Sequence, residues 1–287
     1  MPTKFGDTFR QSSEGKKLVA VVTTLHQFPP TADEEISLRH LRRHLGRFDR
    51  HIVAPRGLAL DFPDFKIHRV DDGFFGTIPR YNRLMLSREF YGRFADYEYI
   101  LIYHLDSLVF SGNLEAWCAK SWDYVGAPWF KGHQDDPTGG FWAVGNGGLS
   151  LRKVASALAV LNSKRLYQPP DIRANRTRYF ASSPRLRSAF CRFKRFFHAH
   201  GYHNDINWCI REITQGSDIL HEDIFWSLEA RTFLPEFRIP EPWEALPFSF
   251  EMAPRYCFKE NAERLPFGCH AWAKYDRAFW EPHLLRQ

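Results

Sequence analysis

The sequence predicts an α/β protein built on a mostly parallel β-sheet that helices cover on both faces. Short apolar runs rich in β-branched residues alternate with amphipathic helical segments, which is the pattern of parallel sheets with crossover helices. The chain has 287 residues, of which 44% are hydrophobic, so it is long enough to bury one large core. No apolar run approaches the length that a transmembrane helix needs. We therefore expect a single globular domain.

The first part of the chain supplies this alternation. Residues 17–24 (KLVAVVTT) form the first expected strand. In the helix that follows, Thr31 and Glu34 make a capping box and Gly46 ends the last turn. The next expected elements are the strands RHIVAP and FKIHRV, a helix from Ile78 with the sequence IPRYNRLMLSREFYGRF, and the strand EYILIYHLD.

The net charge of +6 is concentrated in one segment. Residues 161–200 contain ten Lys and Arg residues against one acid, Asp171, so the rest of the chain sums to −3. Pro pairs, Ser clusters and aromatics run through this segment, which is typical of a surface insertion. We expect an N-terminal extension at 1–16 and one domain over 17–283 that carries the basic insertion at about 161–200.

The basic insertion has two interpretations. It is either a solvated surface or a patch for an anionic partner, such as a lipid-linked substrate or a membrane face. Nucleic acid is the poorest fit, because no nucleic-acid-binding motif accompanies the charge. The polar N-terminus lacks the apolar segment of a secretory signal. We expect a cytoplasmic protein, with peripheral contact at the inner face of a membrane through residues 161–200 as a further option.

Asp106 marks a candidate site. The stretch YILIYHLDSLVF, residues 99–110, is an apolar strand that ends in a carboxylate. Ligand sites in parallel sheets lie just beyond the carboxyl ends of the strands. We therefore expect Asp106 to stand at the edge of a crevice, with a simple turn-capping acid as the alternative.

Two downstream motifs add candidate residues. GNGGLSLRK places glycines where a backbone can approach a ligand closely, although a tight turn needs the same residues. HEDIFWS puts Glu222 and Asp223 at the start of an expected helix, where acids also favour the helix dipole. Both motifs therefore have a structural explanation beside the functional one.

Two aromatic motifs are more ambiguous still. PFGCHAW contains His270 among aromatic and small residues, where core packing is the ordinary explanation. DYVGAPWF is an apolar segment that we expect to end in exposed aromatics, Trp129 and Phe130. Neither motif identifies a site by itself.

Taken in order, these segments resemble a group of mainly bacterial proteins long catalogued as a domain of unknown function and similar to GT-A glycosyltransferases. The resemblance covers about residues 17–283 and rests on YILIYHLDSLVF, DYVGAPWF, GNGGLSLRK, HEDIFWS, FSFE and PFGCHAW. It implies a single GT-A domain with a Rossmann-like sheet. Such a domain binds a nucleotide-sugar in its N-terminal half and an acceptor in its C-terminal half.

The resemblance also implies a divalent metal, Mn²⁺ or Mg²⁺, that neutralises the leaving diphosphate. GT-A enzymes hold the ion with a DxD motif at the end of a central strand, and the matching residues here are His104, Leu105 and Asp106. His104 departs from the usual aspartate. His270 resembles the C-terminal histidine that completes metal or diphosphate binding, and imidazole with carboxylate suits Mn²⁺ better than Ca²⁺.

Further contacts to the donor follow from the same resemblance. Thr23 and Thr24 would meet the nucleobase or ribose, and Gly147 and Gly148 would pass beneath the donor sugar. A helix N-terminus could receive phosphate or ribose, and the residues at its start are Arg80, Tyr81, Asn82 and Arg83. For the threonines and for this group alike, the alternative is that they are ordinary polar residues of the protein surface. Trp129 and Phe130 would stack on a sugar face, with packing beneath a loop as the alternative.

HEDIFWS resembles the motif that carries the general base of inverting GT-A enzymes. Asp223 matches the base, and Glu222 is the alternative if the register differs by one residue. The expected activity is therefore inverting sugar transfer to a hydroxyl group of a glycan, glycolipid or related acceptor.

A second function class stays open. The chain could be a catalytically inactive sugar- or nucleotide-binding protein of the same fold, and the departure at His104 favours this alternative. The presence of Glu222, Asp223 and His270 favours an enzyme instead, because a binding protein needs no base.

Overall fold

A computed structural model describes residues 15–132, 136–166, 205–215 and 221–285. Most of the expected N-terminal extension and of the basic insertion lies outside these described residues. The strands are β1 Lys17–Thr24, β2 Asp49–Pro55, β3 Lys66–Val70, β4 Tyr97–Tyr103, β5 Leu108–Val109, β6 Tyr124–Val125, β7 Ala127–Phe130, β8 Phe141–Gly145, β9 Leu149–Lys153, β10 Ser249–Phe250 and β11 Gly268–Cys269.

The main sheet has six strands in the order β3-β2-β1-β4-β9-β6. β3, β2, β1 and β4 are parallel to one another. β9 runs antiparallel to both β4 and β6. The expected mostly parallel sheet is therefore confirmed, with one reversed strand beside β4.

The helices are α1 Ala32–Leu45, α2 Ile78–Met85, α3 Arg88–Gly92, α4 Leu114–Ala119, α5 Val154–Leu161, α6 Ile206–Gln215, α7 Glu222–Ile224, α8 Ala230–Phe233, α9 Pro242–Ala245, α10 Pro254–Glu260 and α11 Arg277–Trp280. A π-helical turn, Phe225–Glu229, joins α7 to α8. Short 3-10 turns cover Asp72–Phe74, Pro137–Gly139 and Glu281–His283. None of the described helices has the length and apolar character that a bilayer-spanning segment needs.

Side chains of the central strands alternate between the two faces of the sheet, because successive residues of a strand point to opposite sides. Val19 and Val21 of β1 pack with α1 and α4 on one face. Ala20 and Val22 pack with α2, α3 and α5 on the other. The two apolar layers confirm the predicted single α/β domain with helices on both faces.

Helix α1 confirms the predicted capping. The Thr31 hydroxyl accepts a hydrogen bond from the Glu34 amide, and the Glu34 carboxylate accepts one from the Thr31 amide. Gly46 follows the last residue of the helix. A Cβ there would lie 2.4 Å from the Arg42 carbonyl oxygen, so the close approach requires glycine.

The predicted long helix from Ile78 is wrong in one respect. It is two helices, α2 and α3, separated at Leu86 and Ser87. The Ser87 hydroxyl accepts a hydrogen bond from the Phe90 amide and caps α3. Serine competes for backbone hydrogen bonds in this way and so favours a new helix start over continuation.

Candidate active site

The carboxyl end of β4 and the start of β9 meet at one edge of the main sheet. β9 is antiparallel to β4, with Tyr103 opposite Leu149, so the glycine turn before β9 lies beside the segment that follows β4. The His104 amide donates a hydrogen bond of 2.8 Å to the Gly148 carbonyl oxygen. The reversed strand therefore joins the HLD and GNGG motifs.

A small sheet brings His270 to the same place. β11 pairs antiparallel with β5, with Cys269 opposite Leu108, so His270 comes beside the segment that holds Asp106. The His270 Nε2 atom lies 3.3 Å from the Asp106 carboxylate. Two motifs more than 160 residues apart along the chain thus meet across one pair of strands.

The third strand of that sheet positions Glu251. β10 runs parallel to β11, with Phe250 paired to Cys269. The His270 Nδ1 atom is 2.8 Å from the Glu251 carboxylate, where it donates a hydrogen bond. A carboxylate on one imidazole nitrogen fixes the ring and leaves the other nitrogen to face a ligand.

His104, Asp106 and His270 form a group that could hold a metal ion. Their ligand atoms all lie within 4.8 Å of one another. Burial lowers the pKa of His104 to about 4, so its imidazole is neutral and keeps a lone pair. Burial opposes ionisation of Asp106, but the charge and hydrogen bond of His270 outweigh it and hold the Asp106 pKa below its usual range.

The pKa of His270 moves the other way. Burial lowers it, but the carboxylates of Asp106 and Glu251 together raise the pKa well above its usual value. A site that attracts a proton between two acids is also one that attracts a divalent cation. The donor set of two imidazoles and one carboxylate therefore fits Mn²⁺. Glu251 is not one of these donors and supports His270 through its hydrogen bond to Nδ1.

Tyr81 connects α2 to this group. Its hydroxyl lies 2.5 Å from the His104 Nε2 atom, within hydrogen-bonding distance. Burial raises the pKa of Tyr81 well above its usual range, and Thr24 at the end of β1 forms a hydrogen bond with it. The side chains of Thr24, Tyr81 and His104 therefore connect the end of β1, helix α2 and the residue after β4.

The turn at 146–148 is shaped by Asn146. This residue has φ 132°, and its side-chain oxygen accepts hydrogen bonds from the amides of Gly148 and Leu149. A Cβ on Gly148 would lie 2.1 Å from the His270 ring, and one on Gly147 would lie 2.9 Å from the Glu222 carboxylate. Both positions therefore need glycine because the side chains of His270 and Glu222 lie too close for a Cβ atom. The geometry of a tight turn alone would not impose this.

Glu222 is held in a buried ion pair. Both its carboxylate oxygens accept hydrogen bonds from Arg152 of β9, at 2.7 and 2.8 Å. The side chains of both residues are 2% exposed. The guanidinium also donates hydrogen bonds to the hydroxyl groups of Tyr91 and Ser150, and the Asn82 side chain accepts a hydrogen bond from the Glu222 amide.

Asp223 has a different environment. Its carboxylate accepts a hydrogen bond from the Ile224 amide, and no ion pair to it occurs among the described residues. Burial, together with the charges of Glu222 and Glu251, raises its pKa to about 7. A carboxyl group with such a pKa can take up a proton near neutral pH, whereas Glu222 is engaged with Arg152.

These elements surround a cavity of about 730 Å³. Eleven residues predicted from the sequence line it, namely Thr24, Tyr81, Asn82, His104, Leu105, Asp106, Gly147, Gly148, Glu222, Asp223 and His270. The lining also includes residues to which the sequence assigned no role at the site, among them Glu251, Lys274 and Gln27. Glu251 lay inside the quoted FSFE motif, whereas only the fold brings Lys274 and Gln27 to the cavity.

The remaining predicted site residues lie elsewhere. Trp129 and Phe130 are fully buried, which corrects the expectation that they are exposed, because β7 and β8 form a hairpin whose aromatic side chains face the core. Thr23 is also buried, at 1% exposure, since it alternates with Thr24 along β1. Arg80 and Arg83 do not line the cavity, and their guanidinium groups contact the carbonyl oxygens of Phe75 and Gly73.

A family model described as a protein of unknown function (DUF5672) matches residues 64–270. No curated protein matches the sequence significantly. The apo form of the glycosyltransferase GlyE of Streptococcus pneumoniae TIGR4 is 12% identical, with a TM-score of 0.43 over 95% of this chain. This chain spans only 61% of the length of GlyE. An active-site mutant of LgtC is 13% identical, with a TM-score of 0.47 over 88% of this chain and 86% of LgtC.

Proposed function

The chain belongs to DUF5672, a protein family of unknown function, and we propose that it is a glycosyltransferase that moves a sugar from a nucleotide-sugar to an acceptor hydroxyl group. One observation carries the proposal. The turn Gly147–Gly148 lies between two groups of side chains. On one side are His104, Asp106 and His270, which could hold a metal ion and are called the cation-binding group below. On the other side is Asp223, whose carboxyl pKa is about 7. Sugar transfer needs these two functions, a positive site for the leaving diphosphate and a base for the acceptor.

His104, Asp106 and His270 would hold the metal, with Mn²⁺ favoured over Mg²⁺ because imidazole supplies two of the donors. When bound, such an ion supplies positive charge for the departing diphosphate. Glu251 orients His270, and Tyr81 orients His104. Lys274 adds a side-chain cation to the same cavity and would contact the diphosphate oxygens.

Asp223 would accept the proton of the acceptor hydroxyl group. The acceptor oxygen forms a bond to the anomeric carbon while the bond from that carbon to the diphosphate oxygen breaks, and the proton passes to the Asp223 carboxylate. Attack from the side opposite the leaving group inverts the anomeric configuration. Glu222 is disfavoured as the base because Arg152 occupies both of its oxygens.

A thermal-shift screen of UDP-, GDP-, CMP- and dTDP-sugars, with and without Mn²⁺, tests the donor site. A nucleotide-sugar at a hundredfold excess over its dissociation constant stabilises a fold by about 2.7 kcal/mol. We expect a uridine or deoxythymidine diphosphate sugar to raise the unfolding temperature, and Mn²⁺ to increase the effect. No shift with any nucleotide would refute the proposal, whereas binding without turnover would favour the inactive binding protein.

Asp106→Asn provides the matched variant for this screen. Because Asp106 belongs to the cation-binding group, its loss should weaken Mn²⁺-dependent nucleotide binding as well as turnover. The change keeps the size of the side chain but removes the charge that faces His270. Because the Asp106 side chain is half-exposed, the unfolding temperature without ligand should fall only slightly below that of the wild type. Nucleotide binding that is equally strong in this variant would show that the metal site lies elsewhere.

A further inference from the structure

A second cleft lies on the other side of α2 from the cavity. Its volume is about 480 Å³. Tyr81 and Asn82 line the main cavity, whereas Arg83 of the same helix and Leu86 just after it line the cleft. An α-helix with its side chains is about 10 Å across. A ligand in the cleft would therefore be separated from the main cavity by about the diameter of one helix.

Three arginines from three different elements line this cleft, and two of them also donate a neutral hydrogen bond, Arg83 to the Gly73 carbonyl oxygen and Arg88 to the Asn162 side chain. Arg83 comes from α2, Arg88 from the first turn of α3 and Arg211 from α6, and all three are exposed. Glu89 is the acid among the lining residues, and its carboxylate is paired with Arg93 at 2.5 Å. The lining therefore carries a surplus of positive charge, and guanidinium groups favour phosphate oxygens because they donate in a planar fork.

The base of the cleft is apolar. Leu86 and Leu161 close its floor and are almost fully buried, at 3% and 2% exposure. The apolar surface open to a ligand is therefore that of Ile210 of α6, which is half-buried, and of the methylene stems of the arginines. Ser87, Asn207 and Thr214 add neutral polar groups to the lining. An anion that carries an apolar chain complements such a lining better than a fully hydrated ion does, since burial of apolar surface adds to the charge attraction.

We propose that the arginine cleft, lined by Arg83, Arg88 and Arg211, binds a phosphate group attached to an apolar chain and so anchors the acceptor. The proposal rests on the proposed transferase activity for its purpose, but the binding itself does not depend on it. It gives Arg83, which the sequence assigned to the donor, a place in acceptor recognition. The same chemistry occurs in a single lipid-linked phosphate and in the headgroup of a bilayer lipid.

Binding of octyl phosphate, followed by calorimetry on the whole protein, tests the proposal. The variant Arg88→Gln/Arg211→Gln removes two cations from the cleft and touches no residue of the main cavity. Because each charge-assisted hydrogen bond contributes more than a neutral one, affinity for octyl phosphate should fall about tenfold or more. The matched control, Arg43→Gln/Arg264→Gln, has the same net charge but changes exposed arginines outside the cleft, and should bind as the wild type does.

Inorganic phosphate and two kinds of vesicle identify the source. Inorganic phosphate should bind more weakly than octyl phosphate, because it leaves the accessible part of Ile210 uncovered. Sedimentation with phosphatidylglycerol-containing vesicles but not with pure phosphatidylcholine, lost in the cleft variant alone, would identify a bilayer headgroup. Octyl phosphate binding without sedimentation would identify a single lipid-linked acceptor.

Two results would overturn the arginine cleft as a site. One is the absence of octyl phosphate binding, and the other is an equal loss of binding in both double variants, which would indicate diffuse surface charge. Nucleotide-sugar stabilisation should be the same in all three proteins. A failure of nucleotide binding with octyl phosphate binding intact would refute the transferase and leave the cleft standing.

Discussion

Glu222 and Asp223 are neighbouring acids in different environments. Arg152 donates two hydrogen bonds to the Glu222 carboxylate, whereas burial, together with the negative charge of Glu222, raises the pKa of Asp223 to about 7. Neighbouring carboxyl groups in different environments are a recurring feature of acid–base sites. Environment, and not residue type, therefore favours Asp223 as the proposed base.

Asp223→Asn should lower sugar transfer by about 10²- to 10⁴-fold, the usual effect of removing a general base. Nucleotide and Mn²⁺ affinity should stay nearly unchanged, because the cation-binding group is intact. In the wild type, transfer should rise with pH through about 7 as the Asp223 carboxyl group loses its proton. Steady-state kinetics across pH, with isothermal titration of nucleotide, provide the measurement, and full transfer by the variant or retention of the donor's anomeric configuration would disprove the assignment.

The same substitution should stabilise the fold at high pH. The carboxyl pKa is about 7 in the folded chain against an ordinary value of 3.8, so the folded state favours the protonated form. The contribution of this carboxyl group to the free energy of unfolding is fully present below about pH 3.8 and is lost as the pH rises through about 7. Urea unfolding above that pH should therefore give a higher midpoint for Asp223→Asn than for the wild type, with no difference in strong acid. Equal midpoints at every pH would mean that the carboxyl group titrates normally.

Gly148→Ala should disrupt the cation-binding group. The added Cβ would lie 2.1 Å from the His270 ring, so the imidazole has to move away from Asp106. Mn²⁺ affinity, measured by calorimetry, should fall by about tenfold or more, the scale seen when a metal ligand or its support is perturbed. Gly92→Ala is the control, since a Cβ there meets nothing within 4 Å and should leave Mn²⁺ binding unchanged.

At the level of elements, β9 joins the main sheet to the segment that carries Asp223, the proposed base. Its antiparallel course places the glycine turn beside the end of β4, and Arg152 within it pairs with Glu222 at the start of α7. α7 continues without a break through the π-helical turn into α8. The buried ion pair fixes the first residue of this helical segment, next to Asp223.

Arg152→Met should destabilise the fold by about 3–5 kcal/mol, because it leaves the Glu222 carboxylate buried without its partner. The double variant Arg152→Met/Glu222→Leu should recover much of this loss, since it removes both charges. Urea unfolding of the two single variants and the double variant gives the coupling energy. A double variant as unstable as Arg152→Met would mean that the guanidinium contributes through other contacts, such as Tyr91.

At the level of the whole molecule, residues from distant parts of the chain meet at one edge of the sheet. The small sheet β10-β11-β5 carries Glu251 and His270 to the end of β4. α1, α4 and the opposite helices α2, α3 and α5 hold the main sheet between two apolar layers. The cavity therefore lies where loops that follow strands of both sheets meet, and its charged side chains are placed there by the fold.

The basic insertion at about 161–200 provides a test at this scale, although most of it lies outside the described residues. Reversing the charge of Arg185, Arg187, Arg192 and Lys194 to Glu should weaken acceptor use while hydrolysis of the donor persists. The reason is long-range attraction between the segment's surplus of cations and an anionic acceptor or membrane. The measurement is the kinetics of acceptor use across a series of salt concentrations. If these kinetics do not change, the segment is a solvated surface without a role in acceptor binding.

The sequence alone determined the parts of this protein that local physics controls. Strands β1 to β4 follow from short apolar runs, and the capping box of α1 follows from the spacing of Thr31 and Glu34. Asp106 could be placed at an edge because sites in parallel sheets lie beyond strand ends. The resemblance could name the motifs that accompany Asp106 at the site, but the sequence could not show that they lie beside it in the fold.

Tertiary structure decided how those pieces meet and which of them reach the cavity. The reversal of β9 is a matter of long-range pairing that no local pattern encodes, and it places Gly148 against His270. Trp129 and Phe130 were misjudged because burial depends on what packs against a hairpin and not on its residues. The difference between Glu222 and Asp223 likewise arises only when Arg152 arrives from another strand, because electrostatic environment is a property of the folded chain.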